Sequence, residues 1–154
     1  MIARLAPDDR QADVPYLRFL EALRDAGFEG DIAPDYANRT VLATDNSIYQ
    51  RLPQAVLYPR GADDLARIAR LAGRDDFRRV VLAPRGGGTG TNGQSLTDGL
   101  VVDVSRHMNA ILDIDVAARR VRVQAGVVKD QLNAALKPHG LFFAPELSTS
   151  NRAT

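Results

Sequence analysis

From Tyr16 to Arg24 the apolar residues recur at helical spacing, with Leu17, Leu20, Leu23 and Arg24 setting one stripe. Asp13 stands where a helix N-cap belongs and Gly27 where the chain should turn away, so a helix is predicted between them. Between Asp31 and Pro53 the periodicity lapses into turn residues and short apolar pairs. Little regular structure is expected there, and a stretch of that length tends to wrap another part of a fold or to serve function. Ala55–Tyr58 is a short continuous apolar run closed by Pro59, the pattern of a buried strand. Asp63 to Gly73 returns to helical spacing through Leu65, Ile68, Ala69 and Ala72, and Arg78 to Ala83 reads as a second strand. Strand, helix and strand in that order predict a βαβ unit with parallel strands and a right-handed connection.

Further on, Leu100–Val104 predicts a third strand. Ile111–Asp115 and Arg120–Ala125 nearly alternate across a turn at Val116–Arg119, which predicts an antiparallel hairpin with one buried face. Val128, Leu132 and Leu136 repeat every fourth residue in a helix that Gly140 can end. Leu141–Ala144 is a last apolar run, and Phe142, Phe143 and Leu147 are expected to anchor the polar segment beyond it. Met1 to Asp13 is polar and reads as a loosely packed start. The pattern as a whole is α+β with α/β character: a βαβ unit, a small mixed sheet, a hairpin and flanking helices.

One stretch carries chemistry. Pro84, Arg85, Gly86, Gly87, Gly88, Thr89, Gly90, Thr91, Asn92 and Gly93 follow directly on the second strand, with five glycines in ten residues. Glycine turns main-chain N–H groups inward without a Cβ in the way, and successive N–H groups form a concavity that holds an anion, most often phosphate. Thr89, Thr91 and Asn92 can add donors and Arg85 charge. Gly88, Gly90 and Gly93 match the dinucleotide fingerprint G-x-G-x-x-G, which has meaning only where it opens a helix. Only Gln94 to Gly99 separate the loop from the third strand, too few for a crossover helix. No Gly-Lys-Ser/Thr ending is present, so the triphosphate P-loop is excluded as well. A long flexible hairpin loop is the competing reading. A second polar cluster, Pro145 to Thr154, again combines hydroxyls, a carboxamide and an arginine.

Composition narrows the partners. The 154 residues suffice for one domain with its own core, and a net charge of +1 gives no field toward nucleic acid or anionic membrane. There is no cysteine, so disulfides, thiolate zinc sites and iron–sulfur ligation within the chain are excluded. His107 and His139 lie too far apart in sequence to suggest a metal site, and His107 is expected to be structural. With no long apolar run and no leader-like start, a cytoplasmic protein is expected.

Five motifs in order resemble one family: Val56–Pro59, Pro84–Gly90, Val102–Arg106, Val123–Val127, and Pro145–Glu146 with its Ser/Thr cluster. The chain is similar to FAD-binding domains of the vanillyl-alcohol oxidase, or PCMH, type. It most resembles those of long bacterial D-2-hydroxyacid dehydrogenases of the D-2-hydroxyglutarate type that carry an iron–sulfur module near their C-terminus. Asn46–Gln50 and Ser148–Thr154 support that subgroup. The resemblance implies that residues 1–44 are an N-terminal helical extension and 45–154 the first part of the FAD-binding domain.

It further implies that Pro84 to Thr91 cradle the FAD pyrophosphate, flanked by Asn92 and Gly93. Pro145, Glu146, Ser148, Asn151, Arg152 and Thr154 would run along the flavin and pyrophosphate. Some relatives bind FAD through a histidine in the glycine loop; here Thr89 stands in that neighbourhood, so non-covalent FAD is expected. Any iron–sulfur cluster and the catalytic residues would belong to parts of the protein beyond this chain, and no catalytic or metal-ligating residue is assigned within it. The implied reaction is oxidation of a D-2-hydroxy acid with electrons passed to an acceptor other than NAD. The fragment alone is expected to be inactive and to self-associate through an exposed sheet edge. The alternative from a different class is a non-catalytic nucleotide- or phosphate-binding module.

Overall fold

The computed structural model describes residues 12–154; the loose start expected over residues 1–13 lies outside them except for Ala12 and Asp13. In chain order the elements are α1 (Val14–Asp25), β1 (Asp31–Ala33), α2 (Tyr36–Val41), β2 (Ala55–Tyr58), α3 (Ala62–Ala72), β3 (Leu82–Arg85), β4 (Leu100–Asp103), β5 (Ile111–Asp115), β6 (Arg120–Val123) and α4 (Lys129–Leu136). Four strands form a mixed sheet in the order β1-β2-β4-β3, and β5 and β6 form a separate hairpin. β2, β4 and β3 run parallel, while β1 pairs antiparallel with β2. The expected βαβ unit is there with one difference: its two strands are not neighbours, because β4 lies between them.

β2 and β4 are buried along their whole length, as central strands covered on both faces must be. On one face Ala55, Leu57, Leu100 and Val102 pack against Phe19, Leu20 and Leu23 of α1 and Ile68 and Leu71 of α3. On the other, Val56, Tyr58 and Val101 meet Ala33 and Leu42. Each fully buried Leu or Phe side chain contributes roughly 1.5–3 kcal/mol. The α1 stripe is rotated from the expected one: Phe19 is buried and Leu17 exposed, because the sheet lies on the Phe19–Leu20–Leu23 side. In α3 likewise Leu71 is buried and Ala69 exposed. Asp13 does occupy the N-cap of α1, but its side chain does not cap the helix; its carboxylate lies instead within reach of the Gln54 amide, at 3.4 Å.

Residues 31–53 hold more regular structure than their pattern suggests. β1 and α2 form there because β2 offers an open edge to Asp31–Ala33 and Asp35 caps α2 by accepting from the Asn38 N–H at 3.0 Å. The buried Arg39 of α2 donates to the Pro53 carbonyl at 2.6 Å and pins the far end of this stretch to the core. Thr44 and Gln50 form an antiparallel bridge that closes a small loop over residues 44–50.

β3 begins later than expected and takes in Pro84 and Arg85. The bonds Leu100 N–H to Val81 O (2.8 Å) and Val104 N–H to Arg85 O (2.9 Å) show that alternate residues, 81 to 85, turn their main chain toward β4. Pro84 therefore falls on the outward-facing register, where its missing N–H removes a donor from the open edge.

The hairpin carries a bulge. Ile111 pairs with Val123 and Asp113 with Arg122, which leaves Leu112 as the extra, exposed residue. Strict alternation would put Ile111 and Ile114 on opposite faces; the bulge brings both, with Val121, onto the cluster of Val127, Leu132 and Leu136 at α4. Gly140 ends the helical region at φ +67°, as expected. Phe142, Phe143 and Leu147 do not anchor the polar segment at the end of the chain: they are exposed, and no strand forms there.

Candidate functional site

β3 and β4 are parallel neighbours, so the chain from residue 86 to 99 must return the length of the sheet before β4 can begin. This excludes the hairpin-loop reading, since a tight hairpin joins antiparallel strands. The glycine loop leaves the carboxyl end of β3, the edge at which open α/β sheets bind ligands.

Among the described residues, no protein acceptor receives a hydrogen bond from the main-chain N–H groups of Gly86, Gly87, Gly88, Thr89, Gly90 or Thr91. Residues 86 to 90 are only half exposed. Main-chain donors in such a setting need water or an anion, and a succession of them is an anion-binding concavity. Gly88 and Thr89 line a cleft of about 290 Å³ together with Val41, Thr44, Asp45, Asn46, Arg85, Thr149 and Arg152.

Arg85 does not serve as the free cation expected of it. Its side chain is 8% exposed, its guanidinium donates to the Thr44 carbonyl (2.8 Å) and the Ser95 hydroxyl (3.4 Å), and it lies directly beneath Gly88. Gly88 has φ +64°, and a Cβ there would run into that guanidinium. Asp45 accepts from the Ser47 N–H (2.8 Å) and the Ser95 hydroxyl (3.1 Å). Burial pushes the Asp45 carboxyl up, but the bonds from Ser47 and Ser95 and the nearby Arg85 charge outweigh it and hold the group below the ordinary carboxylate value.

The two polar clusters of the sequence meet here. A Cβ on Gly87 would strike the Arg152 carbonyl, and one on Gly86 the Thr154 hydroxyl, so only glycines let the segment at 152–154 lie this close. That segment is itself held by α4: the free N–H groups of Lys129 and Asp130 at the helix start donate to Ala153 O (2.9 Å) and Ser150 O (3.2 Å). Lys129, 8% exposed, also sits 3.8 Å from the Glu146 carboxylate.

Of the residues named from sequence, Arg85, Gly86, Gly87, Gly88, Thr89, Arg152 and Thr154 gather around one cleft or its wall. Gly90, Thr91, Asn92 and Gly93 lie farther along the loop: Gln94 folds over Gly90 and accepts from the Asn92 N–H at 3.1 Å, and Gly93 packs on the Tyr49 ring. Pro84 stands exposed on the sheet edge. Pro145, Ser148 and Asn151 are exposed and do not line the cleft, and Glu146 turns to Lys129. Thr44, Asp45 and Thr149 were not identified from the residues themselves. A usable signal existed: Asp45-x-Ser47 and Ser47-x-Tyr49 are the spacing of side chains that bond main chain two residues on, as both do here. His107 is structural, its Nε2 2.8 Å from the Asp31 carboxylate.

Residues 53–154 match the family model described as a FAD binding domain, and the chain belongs to that family. A D-2-hydroxyglutarate dehydrogenase of Pseudomonas putida is 71% identical over 154 residues, all of this chain and 15% of that protein. One of Escherichia coli is 59% identical over 138 residues, 90% of this chain and 14% of its own. This chain thus spans about one seventh of these relatives (15% and 14% of their lengths). Among solved structures, 6-hydroxy-D-nicotine oxidase from Arthrobacter nicotinovorans superposes with a TM-score of 0.63 at 27% identity, over 75% of this chain and 25% of that one.

Proposed function

We propose that the chain is the first part of the FAD-binding domain of a longer dehydrogenase that oxidises a D-2-hydroxy acid, D-2-hydroxyglutarate or a D-lactate-like compound. Electrons would leave to an acceptor other than NAD. The observation that carries this is the run of main-chain N–H groups from Gly86 to Thr91 without an acceptor among the described residues, beside a cleft with Arg152 on its rim. The donor set fits a diphosphate. A cleft of about 290 Å³ encloses less than a whole dinucleotide, at the low end of the ~300–1,000 Å³ of ligand pockets, which suits a chain supplying part of a shared site.

In this reading Gly86, Gly87, Gly88, Thr89, Gly90 and Thr91 donate to the pyrophosphate, Arg152 balances its charge, and Asn92 and Gly93 shape the far end of the loop. Pro84 and Arg85 set its origin. Pro145, Glu146, Ser148, Asn151 and Thr154 belong to the strip that runs beside the cofactor. Non-covalent FAD, when bound, supplies the two-electron acceptor, and the protein's share is to position it. Residues 45–154 form the cofactor unit; of the preceding extension, residues 1–44, β1 joins its sheet and α1 packs on one face. An iron–sulfur cluster would be ligated elsewhere, since this chain has no cysteine.

Among the described residues, no helix is long and apolar enough to cross a membrane. A cytoplasmic location is part of this proposal. The exposed Phe142, Phe143 and Leu147 and the β3 edge support self-association of the isolated fragment.

The test is direct. Full-length protein should purify yellow and reduce an artificial acceptor with a D-2-hydroxy acid but not its L-isomer. A colourless protein that FAD fails to reconstitute would overturn the reading. Calorimetric preference for ATP or NAD over FAD would favour the non-catalytic module instead.

A further inference from the structure

We propose that Asp45 is a positioning residue: through Ser95 and Arg85 it sets the glycine loop in the conformation that leaves its main-chain donors open. The proposal rests on reading the cleft as a diphosphate site.

The loop at residues 44–50 has an architecture of its own. It is closed at its base by the Thr44–Gln50 bridge and by the bond from Arg51 N–H to Ala43 O at 2.9 Å, and Ala43 is fully buried. From that fixed base it reaches the glycine loop at four points. Thr44 O takes a hydrogen bond from Arg85, Asp45 one from Ser95, and Asn46 N–H gives one to Gly88 O at 3.1 Å. The Tyr49 ring packs under Gly93. Arg85 and Ser95 flank the glycines on both sides, so the clamp grips the loop at its start, middle and end. It engages the carbonyl of Gly88 and leaves the neighbouring N–H groups without partners among the described residues.

The sign of the charge makes Asp45 informative. A carboxylate lining an anion site repels the ligand unless something else requires it there. Here it accepts hydrogen bonds from the Ser95 hydroxyl and the Ser47 N–H, and Ser95 in turn accepts from the nearby Arg85 guanidinium. Its contribution is therefore geometric, through Ser95 and Arg85, and opposed to the simple Coulomb effect on a bound diphosphate.

The experiment uses the full-length protein, stripped of flavin and titrated with FAD, with kcat measured at saturating FAD. Asp45→Ala should raise the FAD dissociation constant at least tenfold, and that factor should exceed any loss in kcat at least fivefold. Ser95→Ala should show the same split, and Ser95→Thr, which keeps the hydroxyl, should restore affinity to within about threefold of wild type. Asp45→Asn should also weaken FAD binding, although removing a negative charge would by attraction alone strengthen it. Unchanged or tighter FAD binding in both Asp45 variants would overturn the proposal. If the wild-type protein binds no FAD, the cofactor reading fails, and amide exchange of the flavin-free protein decides on the clamp separately. Faster exchange over residues 86–94 in Asp45→Asn would support it; exchange equal to wild type would overturn it. Should Asp45→Ala not fold, Asp45→Asn and the Ser95 pair carry the same comparison.

Discussion

The main-chain N–H of Asn46 donates to the carbonyl of Gly88 at 3.1 Å, across 42 positions of sequence. This one bond ties the acceptor side of a glycine-loop peptide to a separate loop while the donors from Gly86 to Thr91 stay open. In the proposed reading, a strand, a glycine loop and a parallel strand thereby present an anion with main-chain donors from a loop between two strands.

Gly88→Ala tests the backbone. At φ +64° a side chain costs roughly 1–2 kcal/mol, and its Cβ would displace the Arg85 guanidinium from Thr44 O and Ser95. The full-length variant should retain less than about a tenth of the wild-type flavin, as bound-flavin absorbance per protein will show.

Arg152→Ala tests the charge. Its exposed guanidinium lies on the cleft rim, whereas Arg85 is already committed. We expect FAD affinity to fall about tenfold, equivalent to ~1.4 kcal/mol. The loss should shrink as salt rises, because an exposed charge is screened; titration at two ionic strengths measures both effects.

Asp64→Ala tests the frame. This carboxylate is 2% exposed and accepts from Glu29 N–H (3.0 Å), Arg60 N–H (3.0 Å) and Arg67 (3.1 Å), joining the turn before β1 to the start of α3. Its loss leaves three donors unmatched, for a cost of about 2–4 kcal/mol. Denaturant titration should show a lower midpoint with an unchanged slope.

Asp31 gives a pH dependence. The hydrogen bond to His107 lowers its carboxyl below the ordinary 3.8 against an opposing push from burial, and the charge of His107 and the neighbouring Arg106 add to the lowering. A group depressed in the folded state binds fewer protons there than in the unfolded chain. Its stabilisation is thus present above pH 3.8 and is lost as pH falls below that value through the folded-state pKa. The gap in melting temperature between wild type and Asp31→Asn should be open at neutral pH and close in strong acid.

Much of this was legible in the residues. The apolar runs at Ala55–Tyr58 and Leu100–Val102 lie in buried strands because their composition leaves no wet face. The glycines could be read as an anion loop, against a flexible hairpin loop, because threonines, Arg85 and flanking apolar strands accompany them. The buried stripe of α1 lies a fraction of a turn from the one its spacing predicts, since Leu17 and Phe19 differ little in hydrophobicity and only the position of the sheet chooses between them. The bulge at Leu112 was equally hidden: near-alternation is compatible with either face until α4 supplies one.

The sequence by itself determined the local chemistry: the buried runs of the two central strands, where the chain can turn through positive φ, and a glycine-rich loop directly after a strand. Tertiary structure alone decided that β4 inserts between β2 and β3, that Arg85 becomes a strut, and that Asp45 and Arg152 reach the same cleft. The reason is physical. Periodicity and turn chemistry act over a few residues, whereas the bonds from Arg85 to Thr44 and from Ser95 to Asp45 span 41 and 50 positions. Contacts at that separation form only when a shared core brings their elements together.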